Sequence, residues 1–310
     1  MSNTGHLPFK PKNVNGRFHL TAPQTLCIYS DEIVETLNYL TIIGDFTINK
    51  NQPLHLDFSE LENLTAAASV MLFAEITRAQ LATNKHDIIT LSLPVNKIQR
   101  KRFTSSGLFK AIKPGGESKL KGLIKSKNTY QSGTDPNKFS LIVLEQIKTS
   151  GINLTAPQKK IFSRGVQEAM LNVIHHAYDD NHIDPLTGIG RRWWHAISVN
   201  KEKNLIAFII YDKGQGIPKS ITSTTSLPLF NHGECIKHVL PKGITRFRDQ
   251  PERGKGTHDI LQINEIEDNS MIVIYSDHGR YIEDKKTGDS LCHHMKCSVH
   301  GTLIEWQLPL

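Results

Sequence analysis

Residues 155–180, TAPQKKIFSRGVQEAMLNVIHHAYDD, place groups able to do chemistry along one side of a helix. At 100° per residue, Val166, Met170, Val173 and Ala177 fall within an arc of roughly 60°, the pattern of a buried face. Opposite that arc lie Glu168, Asn172, His175 and Asp179, with His176 at the rim. An amide carbonyl or a carboxylate is a fitting ligand for a hard divalent cation. A glutamate one helical turn before Asn172 can serve as a base toward water, and imidazoles beside it can donate hydrogen bonds to phosphate oxygens. A plain solvated helix face would account for Glu and Asp, but less readily for an Asn beside paired His.

Three further stretches offer complementary chemistry. In Asp212-Lys213-Gly214-Gln215-Gly216-Ile217-Pro218 the glycines permit a tight turn that can pass close to a flat ligand, and the Asp carboxylate can accept from an exocyclic amine. Arg253-Gly254-Lys255-Gly256-Thr257 runs straight into an apolar-periodic helix carrying Ile260, Ile263 and Ile266. Glycine-loop amides and the open N–H groups of a helix start suit an anion, and Arg253 and Lys255 add charge. Its spacing is not that of a Walker loop. His300-Gly301-Thr302 opens the last strand. Taken singly, each stretch also reads as an ordinary turn or helix entry.

Several elements must position these groups. Thr155, Pro157 and Gln158 have the arrangement of a capping box with proline in the first turn. Leu205 to Tyr211 reads as a buried strand delivering Asp212, and Trp193 to Val199 as another. Met271 to Ser276 and Gly279 to Glu283 read as strands joined by an SDHGR turn, and Thr302 to Leu308 as the last strand. Pro218 to Glu252 holds no stable period, which predicts a long loop, either a functional lid or disordered.

Order and spacing bind the four stretches together. Glu168-Ala169-x-x-Asn172-x-x-x-His176-Ala177-Tyr178, Asp212-x-Gly214-x-Gly216, Gly254-x-Gly256 and Gly301-Thr302 resemble the N, G1, G2 and G3 boxes of the GHKL superfamily of ATPases and kinases. Within it the first box is most similar to that of anti-sigma-factor serine kinases, and next to that of sensor histidine kinases. The resemblance spans residues 138–310 and implies ATP and Mg²⁺ as ligands. Asn172 would then ligate Mg²⁺, and Glu168 would act as base or orient water. Asp212 would bind the adenine amine, Gly214 and Gly216 would shape its pocket, and Thr302 would lie near the base through a water. Gly254 and Gly256, flanked by Arg253, Lys255 and Thr257, would close a lid on the phosphates. His175 and His176 would contact phosphate. Two departures limit the transfer: no H-E-x-x-x-P phosphoacceptor box precedes this region, and no transducer domain follows to supply a catalytic lysine.

The first half alternates Leu54, Leu56 and Phe58, then gives helical spacing over Thr65 to Ala82, a strand IITLSLP, a short basic helix and GLFKAI. Glu32 to Ile43 has helical spacing, and Thr25 to Tyr29 reads as a short strand. Over residues 25–112 this order resembles the STAS domain of anti-sigma-factor antagonists, with LDFS leading through a turn into the helix. Where phosphorylatable members carry an acceptor Ser, this chain has Ala67, whose methyl group offers no nucleophile. Thr65 and Ser69 stand nearby, Thr65 being expected first as a helix cap.

Composition sets outer bounds. The chain has 310 residues, 38% of them hydrophobic, enough for two domains each with its own core. Its longest apolar run, Leu205 to Tyr211, falls far short of the ~20 residues of a membrane helix. The four cysteines are too few and scattered to staple the fold, and no secretory signal pattern opens the chain, so a cytoplasmic protein is expected. The net charge of +7 is spread along the chain, with local concentrations in KIQRKR and KPGGESKLKGLIKSK that lack interleaved aromatics or a DNA-reading motif, so nucleic acid is a weak expectation. Cys292, His293, His294, Cys297 and His300 carry zinc-capable donors without a second pair at finger spacing.

The expectation is therefore an α/β protein: an arm over 1–24, a STAS-like domain over 25–112, a linker over 113–137, then Lys138 to Ile147 as strand or helix opening a Bergerat-type α/β sandwich, a mixed sheet with helices on one face, over 138–310. It would act as an ATP-dependent partner switch or Ser/Thr kinase on a protein partner, possible homodimer included. The alternatives are an ATP hydrolase driving a conformational cycle in a larger stress or defence assembly, and a nucleotide-gated scaffold without catalysis.

Overall fold

Two periodicities, alternation over short strands and 3.6-residue spacing over helices, build two compact units, Met1–Gln131 with Leu186–Ile189, and Ser132–Pro185 with Gly190–Leu310. The computed structural model describes residues 9–151, 153–178, 189–202, 204–222, 231–242 and 256–309. Both units mix helices with sheets, so the chain is of the α/β class.

In the first unit, β1 (Lys12–Val14) and β2 (Arg17–Thr21) form an antiparallel hairpin. The short β3 (Thr25–Leu26) precedes α1 (Ile33–Gly44), then β4 (Leu54–Asp57) pairs parallel with β2. After β5 (Asn63–Leu64), which pairs with β3, α2 (Ala66–Ala82) crosses to β6 (Ile89–Ser92), parallel to β4. The sheet order is β1-β2-β4-β6, the parallel pairs being joined through helices as such pairs require. α2 is buried on almost every side, because Ala67, Ala68, Ser69 and Ala74 let neighbours close in around Val70, Leu72 and Phe73. Then follow α3 (Lys97–Ser105), α4 (Leu108–Ile112) and α5 (Gly116–Lys125).

Three expectations for this half are corrected. Residues 12–21, expected as an irregular arm or an edge element, form two sheet strands, β1 at the edge and β2 paired on both sides. Residues 113–137, assigned to a linker, contain α5 and the strand β7 (Tyr130–Gly133). The Lys and Gly content hid a buried face of Gly116, Lys119, Leu120 and Leu123. Even Lys119 is inside: its Nζ donates to Gln80 Oε1 at 2.6 Å and to the Lys113 carbonyl at 2.9 Å, and burial pushes its pKa down to about 7. Thr65 makes no cap bond, because its hydroxyl donates to the Leu26 carbonyl of β3 at 3.4 Å. Ser69 is buried, bonded to the Ala66 carbonyl at 2.6 Å and to the Tyr130 hydroxyl at 2.8 Å.

The second unit holds α6 (Pro136–Thr149), α7 (Ala156–Asn172), β8 (Trp193–Asn200), β9 (Leu205–Asp212), α8 (Ile217–Thr222), α9 (His232–Lys242), α10 (Gly256–Gln262), β10 (Met271–Asp284) and β11 (Asp289–Pro309). Lys138 to Ile147, open between strand and helix in the sequence, is helical. The sheet order is β10-β11-β9-β8-β7, antiparallel from β10 through β8. Phe162 of α7 packs edge-on against Phe208 of β9, centroids 5.6 Å apart, and Phe208 meets Trp306 of β11 at 5.8 Å. Trp306 Nε1 donates to the Ile260 carbonyl at 2.9 Å, tying α10 to the sheet.

Two expectations change here. The expected loop over 218–252 contains α8 and α9 within its described residues. Asn231 Oδ1 accepts from the Gly233 and Glu234 amides, a cap for α9, and Ile236, Val239 and Leu240 supply a helical apolar stripe. The expected SDHGR turn is a bulge within the continuous β10, with register shifts at Ser276/Asp277 and Asp277/Gly279 and a positive φ of 50° at Asp277.

Gly165 lies where α10 crosses α7, and a Cβ there would stand 2.5 Å from the Asp259 carbonyl oxygen and 2.6 Å from Ile263 Cδ1. Helix propensity alone would make Gly165→Ala stabilising by about 1 kcal/mol. Overpacking works the other way by ~1–3 kcal/mol, and the backbone atom cannot swing aside. We expect a net loss of stability in urea unfolding; a gain would show that α10 does not hold this close approach.

Candidate functional site

One pocket in the second unit gathers residues from every stretch singled out above that the structure describes. Its polar lining is Glu168, Asn172, His176, Asp212, Ser220, Thr257 and Thr302, with Gly216 at the turn. Its apolar lining includes Val173, Ala177, Ile217, Ile221, Ile236, Val239, Leu240, Ile260, Ile274 and Ile304. A mostly apolar hollow with a few convergent polar groups is the usual form of a small-molecule site.

The helical wall begins as expected. Thr155 Oγ1 accepts from the Gln158 amide at 3.4 Å and the Gln158 side chain accepts from the Thr155 amide at 2.9 Å, completing the capping box. Val166, Met170, Val173 and Ala177 are buried. Beyond Asn172, however, the chain continues as a π-helical turn, Val173–Ala177. In an α-helix a four-residue step drifts about 40° around the axis. The wider turn offsets that drift and keeps His176 on the side of Glu168 and Asn172. His175 is not among the pocket-lining residues; its ring meets that of His176 edge-on at 6.1 Å. The expectation that His175 shares the pocket face with Asn172 is therefore corrected, and His176 takes that place.

The end of this helix docks on the turn after β9. The Gln215 amide donates to the Ala177 carbonyl at 2.7 Å, and Gln215 Nε2 to the His176 carbonyl at 3.0 Å. Tyr178 Oη donates to the Arg192 carbonyl at 2.9 Å and accepts from the Lys213 amide at 3.3 Å. Gly214 does not line the pocket; it lets the two segments touch, since a Cβ there would collide with the Ala177 carbonyl. Gly216 adopts φ 81°, and Gly301 adopts φ 95° with its Cα against the Asp212 backbone, so neither position admits another residue without strain.

Sheet register assembles the far end of the pocket. Ser276, Thr302, Asp212 and Trp193 are successive cross-strand partners on β10, β11, β9 and β8. Asp212 is 5% exposed, and its Oδ1 accepts from the Gly214 amide at 2.8 Å. Burial pushes its pKa up to about 7, against the opposing pull of backbone hydrogen bonds from Gly214 and Thr302. Glu168 is half-buried, and burial together with the nearby Asp259 carboxylate raises its pKa. Asp259 itself pairs with Arg164 of α7 at 3.0 Å. The Thr257 hydroxyl, in the first turn of α10, is buried with no hydrogen-bond partner among the described residues.

Gly256 begins α10 beside Thr257, as expected for the end of the glycine loop. Asp179, Arg253, Gly254 and Lys255 lie outside the described residues. Among the described residues no group of three or more His, Cys, Asp and Glu is arranged to hold a metal, the Cys292 and Cys297 region included. Burial raises the pKa of both those thiols. Sequence reasoning missed α8, α9 and Ser276; the Asn231 cap with Ile236, Val239 and Leu240 was the available signal for α9.

The raised pKa of Asp212 has a sign that can be checked. The folded state holds its proton up to about pH 7, whereas an unfolded Asp releases it near 4. Stability from this group is complete below the unfolded value and is lost as pH rises through the folded one. Asp212→Asn stays neutral and should remove that decline, on the order of 4 kcal/mol, from urea unfolding profiles between pH 4 and 8. An unchanged slope would mean that the carboxyl is not held protonated.

No known family model and no curated protein matches this chain, so the functional reading that follows rests on the site itself.

Proposed function

We propose that the second unit is an ATP-binding domain of the GHKL type, with the Bergerat α/β sandwich as its fold, and that the first is STAS-like. The observation that carries this reading is the convergence of Glu168, Asn172, Asp212, Thr257 and Thr302 on one otherwise apolar pocket. The residues fit such a ligand: the buried Thr257 hydroxyl has no partner among the described residues, and the buried Asp212 carboxyl offers lone pairs to a donor. The mixed sheet of the first unit, with LDFS closing β4 before α2, supports the STAS-like part.

In this reading the Asn172 side-chain oxygen holds Mg²⁺, the hard cation for which an amide carbonyl is suited. Asp212 accepts from the exocyclic amine of adenine, and Gly216 leaves room for the ring. His176 and Thr257 face the phosphates. Bound Mg–ATP supplies a transferable γ-phosphoryl group. The chain then acts as an ATP-dependent partner switch or Ser/Thr kinase on a protein partner, contributing position and charge stabilisation. Labelled ATP incubated with the protein and candidate STAS partners tests the kinase form, and absence of transfer to all of them rejects it.

One observation favours hydrolysis as a second reading. Glu168 lines the pocket, and its raised pKa brings it closer to the range of a useful base. Glu168→Ala should lower phosphate release by about 10²–10⁴-fold while leaving nucleotide binding within a few fold. Release at the wild-type rate would exclude Glu168 as the base. Asp212→Asn, in contrast, should weaken adenine nucleotide binding by roughly 10–100-fold in calorimetry. Unaltered affinity would remove the adenine assignment.

A further inference from the structure

We propose that Ser276 is a positioning residue that fixes the Thr302 hydroxyl as a hydrogen-bond acceptor and thereby selects nucleotides of 6-amino purines over those of 6-oxo purines; this rests on the nucleotide reading of the pocket. Ser276 is fully buried at the bulge of β10, where three segments meet. Its Oγ accepts from the Ile217 amide at 2.7 Å, lies 3.2 Å from the Gly301 carbonyl and lies 3.0 Å from Thr302 Oγ1.

A serine hydroxyl has one proton and two lone pairs. The Ile217 amide takes one lone pair. The Gly301 carbonyl can only accept, so it requires the proton. The third bond then forms only if Thr302 donates to the remaining lone pair of Ser276. All three bonds are made in this arrangement alone, and a buried position penalises any arrangement that leaves one unmade.

The consequence appears at Thr302, which lines the pocket. With its proton committed to Ser276, Thr302 Oγ1 offers only lone pairs to a ligand. Asp212, its cross-strand neighbour, is likewise an acceptor above about pH 7, where its carboxyl ionises, so the binding comparison is made at pH 8. Two acceptors side by side favour an edge that donates, such as an exocyclic amine, and repel a carbonyl oxygen in the same place. A site whose polarity is fixed in this way discriminates better than one whose hydroxyl can turn to suit either edge.

Ser276→Ala deletes the acceptor that holds the Thr302 proton and frees that hydroxyl to donate. The experiment is calorimetric binding of adenosine diphosphate and inosine diphosphate to the full chain, with thermal unfolding as a check of folding. Wild type is expected to prefer the adenine nucleotide, and Ser276→Ala to reduce that preference by about tenfold. Thr302→Val, close in shape, should reduce it by a similar factor, and the double variant should add little, because both changes remove one device. Equal weakening of both nucleotides by Ser276→Ala would assign Ser276 a structural role and overturn the inference while leaving the nucleotide site standing. If Ser276→Ala does not fold, an undiminished preference in Thr302→Val overturns it. Binding of neither nucleotide by wild type would overturn the nucleotide reading and this inference with it.

Discussion

The antiparallel pairing of β9 with β11 sets Asp212 opposite Thr302, and the polar end of the pocket depends on that register. A one-residue slip of β11 would turn Thr302 to the face of the sheet opposite Asp212. Gly301 helps fix it: with φ 95° and its Cα against the Asp212 backbone, it turns β11 where a side chain could not fit. Ser276, partner of Thr302 on β10, ties the same row to the Ile217 amide at the entrance of α8.

The helical wall depends on that row through backbone contacts. Gln215 and Lys213 follow Asp212 directly, and they bond the Ala177 carbonyl and the Tyr178 hydroxyl at the end of the π turn. The position of Asn172 and His176 relative to Asp212 is thus set by two backbone amides after Asp212, one bonded to the Ala177 carbonyl and one to the Tyr178 hydroxyl. On the other side Gly165 admits α10, bringing Thr257 to the pocket and Asp259 near Glu168. Glycine within a helix costs about 1 kcal/mol relative to alanine, an expense offset by the packing it permits.

The site also carries a cost of its own. Asp212 is a carboxyl in a buried place whose ionisation is disfavoured near neutral pH, and the Thr257 hydroxyl is buried without a partner among the described residues. An unmet buried hydroxyl of this kind costs about 1–3 kcal/mol, and a ligand that supplies the missing bond recovers part of it. Cys235, in contrast, behaves as a small hydrophobe among Ile221 and Val239, its thiol pushed up to about 11 by burial.

Residue type and local period determined the helix of Glu168 and Asn172, its capping box and its buried arc, the strand ending at Asp212, and the α/β class. These are short-range properties, set by side-chain size and by bonds between near neighbours. They misjudged residues 113–137 and 218–252, where Lys, Gly and Ser dilute the apolar stripes of short helices, although the Asn231 cap with Ile236, Val239 and Leu240 marked α9. Only the tertiary structure decided that His176 rather than His175 faces the pocket, since a π turn inserts within a sequence of ordinary helical period. It alone also placed Ser276 beside Thr302 and Asp212, because cross-strand register joins residues far apart in the chain and leaves no trace in the local pattern.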